Sequence, residues 1–301
     1  MISIVIPTFR RPADLARLLA SIHADIGARG DVTVVVADND AGGSARPVVE
    51  RFTRETGRPV DYAVESEPGV SNARNNAMAR VDTRFVLFLD DDMEVAAPFL
   101  QPMLDTAARL GTAVTFAPTR AVLPEGSQHL AEWLAPLFSR EREGPSGEID
   151  AAYGTGGCLI DLDGLALPSP VFDPALNEVG GEDDALFAAL AAQGVRFGWC
   201  ADVVALEHVP PHRATSRYLW RRHFAFGQTP TREAADRGVA GVIKWMGVGA
   251  VQAAMHAPLF VLKRLARRPS SVAHLGRLAQ GVGKVFWWDS LSPRLYGRRA
   301  R

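Results

Sequence analysis

"RFVLFLDDDMEV", residues 84–95, decides how the chain is read. An apolar run with the character of a strand buried on both faces stops at three successive carboxylates, Asp90, Asp91 and Asp92. Adjacent carboxylates repel, so a cation or a set of hydrogen-bond donors has to hold them together. Hard oxygen ligands select Mg2+ or Mn2+, ions that keep waters and bind substrate diphosphates. A solvated acidic turn is the plain alternative. A phosphatase-type aspartyl nucleophile is another, but it needs a hydroxyl or β-branched residue where Met93 and Glu94 stand.

Working outward, strand and helix patterns alternate. "ISIVIP" (2–7), "VTVVVAD" (32–38), "VDYAVE" (60–65), "RFVLFLD" (84–90) and "TAVTFAP" (112–118) read as strands. Between them, 12–26 sets Leu15, Leu18, Leu19 and Ile22 on one helical face, and 44–57, 71–80 and 97–110 read as further helices. This order predicts an α/β fold with an open, mostly parallel sheet covered by helices. Ligands in such sheets bind beyond the carboxyl ends of the strands, where "PTFR", "DND" and "DDD" fall. Residues 119–150, rich in charge, Gly and Pro, read as an irregular excursion. Strand character returns at 151–161, followed by a helix over 182–193 and a strand near 202–206, with Trp199 and Cys200 in the core.

A chain of 301 residues, 47% hydrophobic and 22% charged, can bury one full core and carry an appendage. The net charge of −1 hides a segregation of sign. From Val209 onward there are 17 Lys plus Arg against 3 Asp plus Glu, and before it 16 against 31. We therefore expect a body over 1–210 and a basic helical region over 211–301 that seeks phosphate or an anionic membrane surface. Nucleic acid is not an expected partner, because the acidic body repels a duplex and no recognised module is present. Residues 245–262 carry no formal charge, and Gly247, Gly249, Gln252, His256 and Pro258 dilute their apolarity. An interfacial element, a membrane span and a buried hairpin are all compatible with that stretch. The segment 272–288 is amphipathic and ends near Trp287 and Trp288, residues suited to a headgroup boundary. "MISIVIPTFRRP" lacks a basic n-region and is not read as a signal peptide. Cys158 and Cys200 have no CxxC spacing and are expected to be reduced core thiols of a cytoplasmic protein.

"IVIPTFRR", "VVVADND", "GVSNARNNAMA", "FLDDDMEV" and "GGEDDALF" stand in one order over residues 1–210. Together they resemble the family 2 glycosyltransferases of bacterial polysaccharide assembly, which are inverting enzymes with the GT-A fold. The resemblance implies that Pro7, Thr8, Arg10 and Asp38 hold the nucleotide, and that Arg74, opening its helix, meets phosphate or uracil. The metal would fall to Asp92, with Asp90 and Asp91 toward ribose or metal-bound water. His208, after the last core strand, matches a metal ligand of many members. Asp183 matches the general base, with Glu182 beside it. The family often carries a second acid two places after the base, where this chain has Ala185, so Asp183 and Asp184 both stay open. The loop Gly154 to Gly157 permits close backbone approach to a sugar.

The resulting expectation is a Mg2+- or Mn2+-dependent inverting glycosyltransferase taking a nucleotide sugar, a UDP-sugar first and dTDP- or GDP-sugars next. Its acceptor is a hydroxyl of a saccharide or of a lipid-pyrophosphate-linked glycan, in exopolysaccharide, lipopolysaccharide or cell-envelope synthesis. Its place is the cytoplasm, peripheral on the inner face of the plasma membrane. A non-catalytic sugar-nucleotide or polyanion binder on the same fold is the alternative.

Overall fold

The structure is a computed structural model that describes residues 1–178, 180–268 and 270–293. The chain divides into two compact units: residues 1–121 with 138–208, and residues 122–137 with 209–293.

The first unit is the α/β body. Its elements run β1 (Ile2–Thr8), α1 (Pro12–Ile26), β2 (Val32–Asp38), α2 (Arg46–Thr56), β3 (Val60–Val64), α3 (Val70–Met78), β4 (Phe85–Phe88) and β5 (Met93–Val95). Then follow α4 (Leu100–Leu110), β6 (Val114–Phe116), β7 (Thr119–Val122), β8 (Gly147–Ile149), β9 (Cys158–Asp161), α6 (Glu182–Ala192), β10 (Phe197–Trp199) and β11 (Ala205–His208); α5 (Ala131–Phe138), between β7 and β8 in the chain, belongs mostly to the second unit. Eight strands form one sheet in the order β3-β2-β1-β4-β9-β6-β10-β8. The half containing β3, β2, β1 and β4 is wholly parallel, whereas β9 and β8 pair antiparallel to their neighbours, so the sheet is mixed.

Alternation along the central strands builds two cores. Ile2, Ile4 and Ile6 of β1 and Val34 and Val36 of β2 face Leu15, Leu18, Leu19 and Ile22 of α1. Val5, Val35, Val86 and Phe88 face the other way, toward Ala73 and Ala77 of α3 and Leu186, Phe187 and Leu190 of α6. Burial of both faces explains why β1 and β2 lack polar alternation. Trp199 and Cys200 are fully buried, and both cysteines are free thiols.

Several elements differ from expectation. Residues 119–150 are not one irregular excursion; they contain β7, α5 and β8. β7 adds to a second, three-stranded sheet ordered β5-β11-β7. Strand structure in 151–161 is confined to β9, and the strand near 202–206 is β11, three residues later. β10, only three residues long with Gly198 at its centre, has no counterpart among the expected strands.

The second unit is helical: α7 (Ser216–Ala235), α8 (Val239–Leu265) and α9 (Ser271–Val285), joined by residues 122–137. α8 runs unbroken through Gly247, Gly249 and Pro258, so residues 245–262 are not a buried hairpin. It is the one helix among the described residues long and apolar enough to cross a membrane, and only 6% of its apolar window is buried. The helices approach closely at glycines. A Cβ on Gly249 would lie 2.6 Å from the carbonyl oxygen of Gly281, and one on Gly283 would collide with that of Phe224. The buried Gln228 and Thr231 of α7 donate to the carbonyls of Phe286 and Lys284, satisfying the end of α9. We expect Gly283→Ala to destabilise this unit by about 1–3 kcal/mol through overpacking, read as a lower thermal midpoint by circular dichroism. An unchanged midpoint would mean that α7 and α9 can part freely.

Candidate functional site

The parallel strands end in a row of polar residues, as the topology demands. β1 ends at Thr8, whose hydroxyl donates to Asp91 Oδ2 at 2.8 Å; the Phe9 amide donates to the same oxygen at 3.3 Å. Arg11 then places Nη1 2.9 Å from Asp91 Oδ1 and 2.8 Å from Asp92 Oδ2. Donors and an internal cation thus resolve the repulsion posed by the three aspartates. Burial pushes the Asp91 carboxyl up to about 7; Arg11 pulls it down, and Asp92 adds to the rise.

Asp90, the first of the three, faces α3. Arg74 is 5% exposed and binds Asp90 Oδ1 through Nη2 at 3.1 Å and Glu182 Oε1 through Nη1 at 2.6 Å. Its guanidinium lies 5.4 Å from the centre of the Phe172 ring. A buried cation thereby ties the end of β4 to the start of α6. Glu182 is buried and opens α6, while the next residue, Asp183, is half-buried and accepts the Asp184 amide at 3.0 Å. Acidic residues in this first turn also match the helix dipole.

The loop between β8 and β9 closes the other side. A Cβ on Gly154 would sit 2.8 Å from Asp183 Oδ2 and 3.1 Å from Arg140 Nη1. One on Gly156 would run into the Met93 methyl and sit 2.8 Å from Asp90 Oδ2 and 3.1 Å from Arg140 Nη2. The glycines are therefore small because Asp90, Asp183 and Arg140 converge on their backbone. Asp183 points to this loop, whereas Asp184 is exposed on the outside of the helix.

His208 ends β11. Its amide donates to the Asp92 carbonyl at 2.8 Å, and its Nε2 lies 2.8 Å from Glu94 Oε2. Among the described residues no three His, Cys, Asp or Glu side chains gather tightly enough to hold a metal by themselves. Asp92 and His208 are neighbours through their backbones, while their side chains are held by Arg11 and Glu94; oxygen and imidazole ligands of this kind suit Mg2+ or Mn2+, which draw their other ligands from water and a diphosphate.

The remaining expected residues serve the nearby loops. Pro7 is buried within β1 opposite Ala37. Asp38 is fully buried and accepts from the Asp40 amide at 3.0 Å, the Ala45 amide at 2.7 Å and the Tyr62 hydroxyl at 2.8 Å. Arg10, at φ 55°, turns outward and pairs with Asp40 at 3.1 Å. The α3 N-terminus already has a partner, since the Ser71 amide donates to Asn177 Oδ1 at 2.8 Å.

Three side chains of this site had no place in the sequence reading: Arg11, Arg140 and Glu94. Arg11 precedes Pro12, the first residue of α1, and that fixed helix start was the available signal. Glu94 sits at the centre of β5, two residues after Asp92, where its carboxylate meets His208. Arg140 carries no local signal. It is held by two backbone hydrogen bonds to Thr119 and by Glu207, 3.3 Å from its Nη2.

The mixed α/β sheet with clustered acids and arginines beyond its parallel strand ends has the GT-A fold of known glycosyltransferase structures. The sequence model of the family described as glycosyl transferase family 2 matches residues 3–159, and the chain belongs to that family. It is 33% identical over 244 residues to the succinoglycan biosynthesis protein ExoM of Rhizobium meliloti strain 1021, covering 78% of this chain and 76% of that protein. Solved structures share the fold, two of them over most of both chains. The mannosyltransferase PcManGT of Pyrobaculum calidifontis, in complex with GDP-Man and Mn2+, superposes with a TM-score of 0.56 at 16% identity, over 95% of this chain and 87% of its own. S. aureus TarS 1–349 in complex with UDP gives 0.53 at 15% identity, over 94% and 90%.

Proposed function

We propose that the protein is a metal-dependent inverting glycosyltransferase that moves a sugar from a UDP-sugar to an acceptor hydroxyl in the assembly of an exopolysaccharide, lipopolysaccharide or other envelope glycan. The observation that carries this reading is the convergence of Asp90, Asp183 and Arg140 on the Gly154 to Gly157 loop, beside the Arg74–Glu182 pair. The relative's role in succinoglycan biosynthesis supports polysaccharide assembly. The UDP and the GDP-Man with Mn2+ in the two structural neighbours support a nucleotide donor and a divalent ion.

In this mechanism Asp183 accepts the proton of the acceptor hydroxyl as its oxygen attacks the anomeric carbon. The bond from that carbon to the donor's diphosphate breaks on the opposite face, so configuration inverts once. Glu182, locked by Arg74, keeps the α6 start and hence Asp183 in place. Arg140, on the sugar side of the glycine loop, offers positive charge to the departing diphosphate. A divalent ion held by Asp92 and His208 would offset charge on that leaving group. Thr8 and Pro7 shape the floor at the end of β1; Asp38 and Arg10 support the nucleotide's base and ribose side through the loops they hold.

The helical unit supports a peripheral position on the inner leaflet of the plasma membrane. Val239, Ile243, Val251, Met255, Leu262 and Leu265 of α8 are exposed, and Lys263, Arg264, Arg267 and Arg268 follow or close the helix.

Incubating the protein with UDP-, dTDP- and GDP-sugars plus candidate saccharide acceptors tests the reading. We expect nucleoside diphosphate release with a UDP-sugar in Mn2+ or Mg2+ that falls to background with chelator and returns when metal is restored. Release that ignores chelator would remove the metal from the mechanism; no release with any donor would remove the transferase.

A further inference from the structure

The helical unit holds two neighbouring concavities that share His256 and Arg277. The first, about 500 Å³, is a groove along α8 lined by Gly247, Val248, Val251 and Met255. The three larger side chains are exposed, at 42%, 61% and 58%. The second, about 480 Å³, has an apolar wall of Trp133, Pro136 and Leu137 from α5 and a polar side of His223, His274 and Gln280. An apolar surface groove thus lies beside a concavity lined by nitrogen-bearing side chains.

The charge of this concavity is biased toward anions. Arg277 is exposed and has no ion-pair partner among the described residues. Lys263 acts on His274, and Lys284 donates to Gln252 of the groove at 3.0 Å. Glu132 is the one acid lining the concavity, and it is exposed at the rim. His256 and His274 meet through their Nδ1 atoms at 2.9 Å, so their Nε2 atoms are turned away from each other. Burial, with Arg277 acting on His223 and with Lys263 and His256 acting on His274, holds both imidazoles below their usual range. An entering anion would relieve that unfavourable positive field.

We propose that groove and concavity form one binding site for a lipid diphosphate, the chain lying along Val248, Val251 and Met255 and the diphosphate meeting Arg277 and the histidines. This deepens the proposed function by locating the carrier part of a lipid-linked acceptor; it concerns the carrier's head and tail, not the reacting sugar. Neither half suffices alone. A free diphosphate has no use for the apolar groove, and a simple lipid has no use for a concavity of imidazoles and a guanidinium.

Farnesyl diphosphate, a short soluble member of the class, tests the site on the full chain by isothermal titration. We expect it to bind at least about tenfold more tightly than inorganic pyrophosphate or dihexanoyl phosphatidylglycerol, and to keep its affinity in excess UDP. Arg277→Ala, at an exposed position, should weaken it by roughly tenfold or more. Val251→Glu should weaken farnesyl diphosphate but leave pyrophosphate unaffected, and circular dichroism checks that both variants keep their helices. Equal binding of pyrophosphate would reduce the site to a free-anion pocket, and equal binding of the phosphatidylglycerol to a headgroup contact; either overturns the proposal. So does displacement by UDP, which would put the ligand in the nucleotide site, or indifference to both substitutions. Sugar transfer to a soluble acceptor without farnesyl diphosphate binding would overturn this inference alone. Binding without transfer from any donor would overturn the transferase reading alone.

Discussion

Asp183→Asn is expected to lower kcat by roughly 10²–10⁴-fold while UDP binding holds, because the amide keeps the shape of the carboxylate and loses its basicity. The choice of Asp183 over Asp184 rests on direction. Asp183 Oδ2 lies against the Gly154 backbone beside Arg140, and its charge is felt by Arg74 and the buried Cys158 thiol. Asp184 is exposed on the far side of the helix turn, so Asp184→Asn should cost little. The measurements are nucleoside diphosphate release and UDP titration on both variants. If Asp184→Asn is the inactive one, the base is misassigned. If the unsubstituted protein binds UDP yet never turns over, the chain is a binding module on this fold and there is no activity to lose.

Arg74→Ala should destabilise the body by about 3–5 kcal/mol, the usual cost of leaving a buried carboxylate without its cation. Arg74 and Glu182 are 5% and 8% exposed, and their 2.6 Å contact is joined by the Asp90 contact at 3.1 Å. Urea unfolding monitored by Trp fluorescence would report the loss. Arg74→Lys should recover only part, since an ammonium cannot reach two carboxylates with a planar fork. Adding Glu182→Gln to Arg74→Ala should return a fraction of the stability, because the stranded charge goes with it. A cost below about 1 kcal/mol for the single substitution would class the pair with ordinary surface ion pairs, against the geometry.

Strong periodicity made some elements legible. α1 and β2 have the boundaries read from the sequence, because one carries an unbroken apolar face and the other is buried on both sides. The second half of the sheet was harder to see. β8 and β10 are three residues each and contain Gly147 and Gly198, too short to show any period. Leu134 and Phe138 of α5 and Leu130 just before it are buried at intervals of four, but Pro136 and the charged, Gly-rich flank masked that spacing.

At the site, the acids were legible because they interrupt apolar strands, and their partners were not. Arg10 and Arg11 are neighbours in the chain; the left-handed turn at Arg10 sends the first to solvent and the second to the aspartates. Arg140 reaches Glu207, 67 residues away in the chain, a pairing that only the folded sheet creates. Asp38 matched a nucleotide-holding pattern, yet three internal donors already fill its oxygens, so its influence on a ligand passes through the loop it braces.

The Arg11 clasp on Asp91 and Asp92 has a consequence for how such a corner is filled. Because the chain brings its own counter-ion, a divalent cation arriving as in the mechanism proposed above would not enter a bare, repelling nest; it would compete with a tethered guanidinium. Affinity then reflects the difference between two cations rather than the strength of one, and in the empty corner the guanidinium already offsets part of the acids' charge. Under that mechanism, such a corner would suit an ion that comes and goes with its nucleotide over one kept for life.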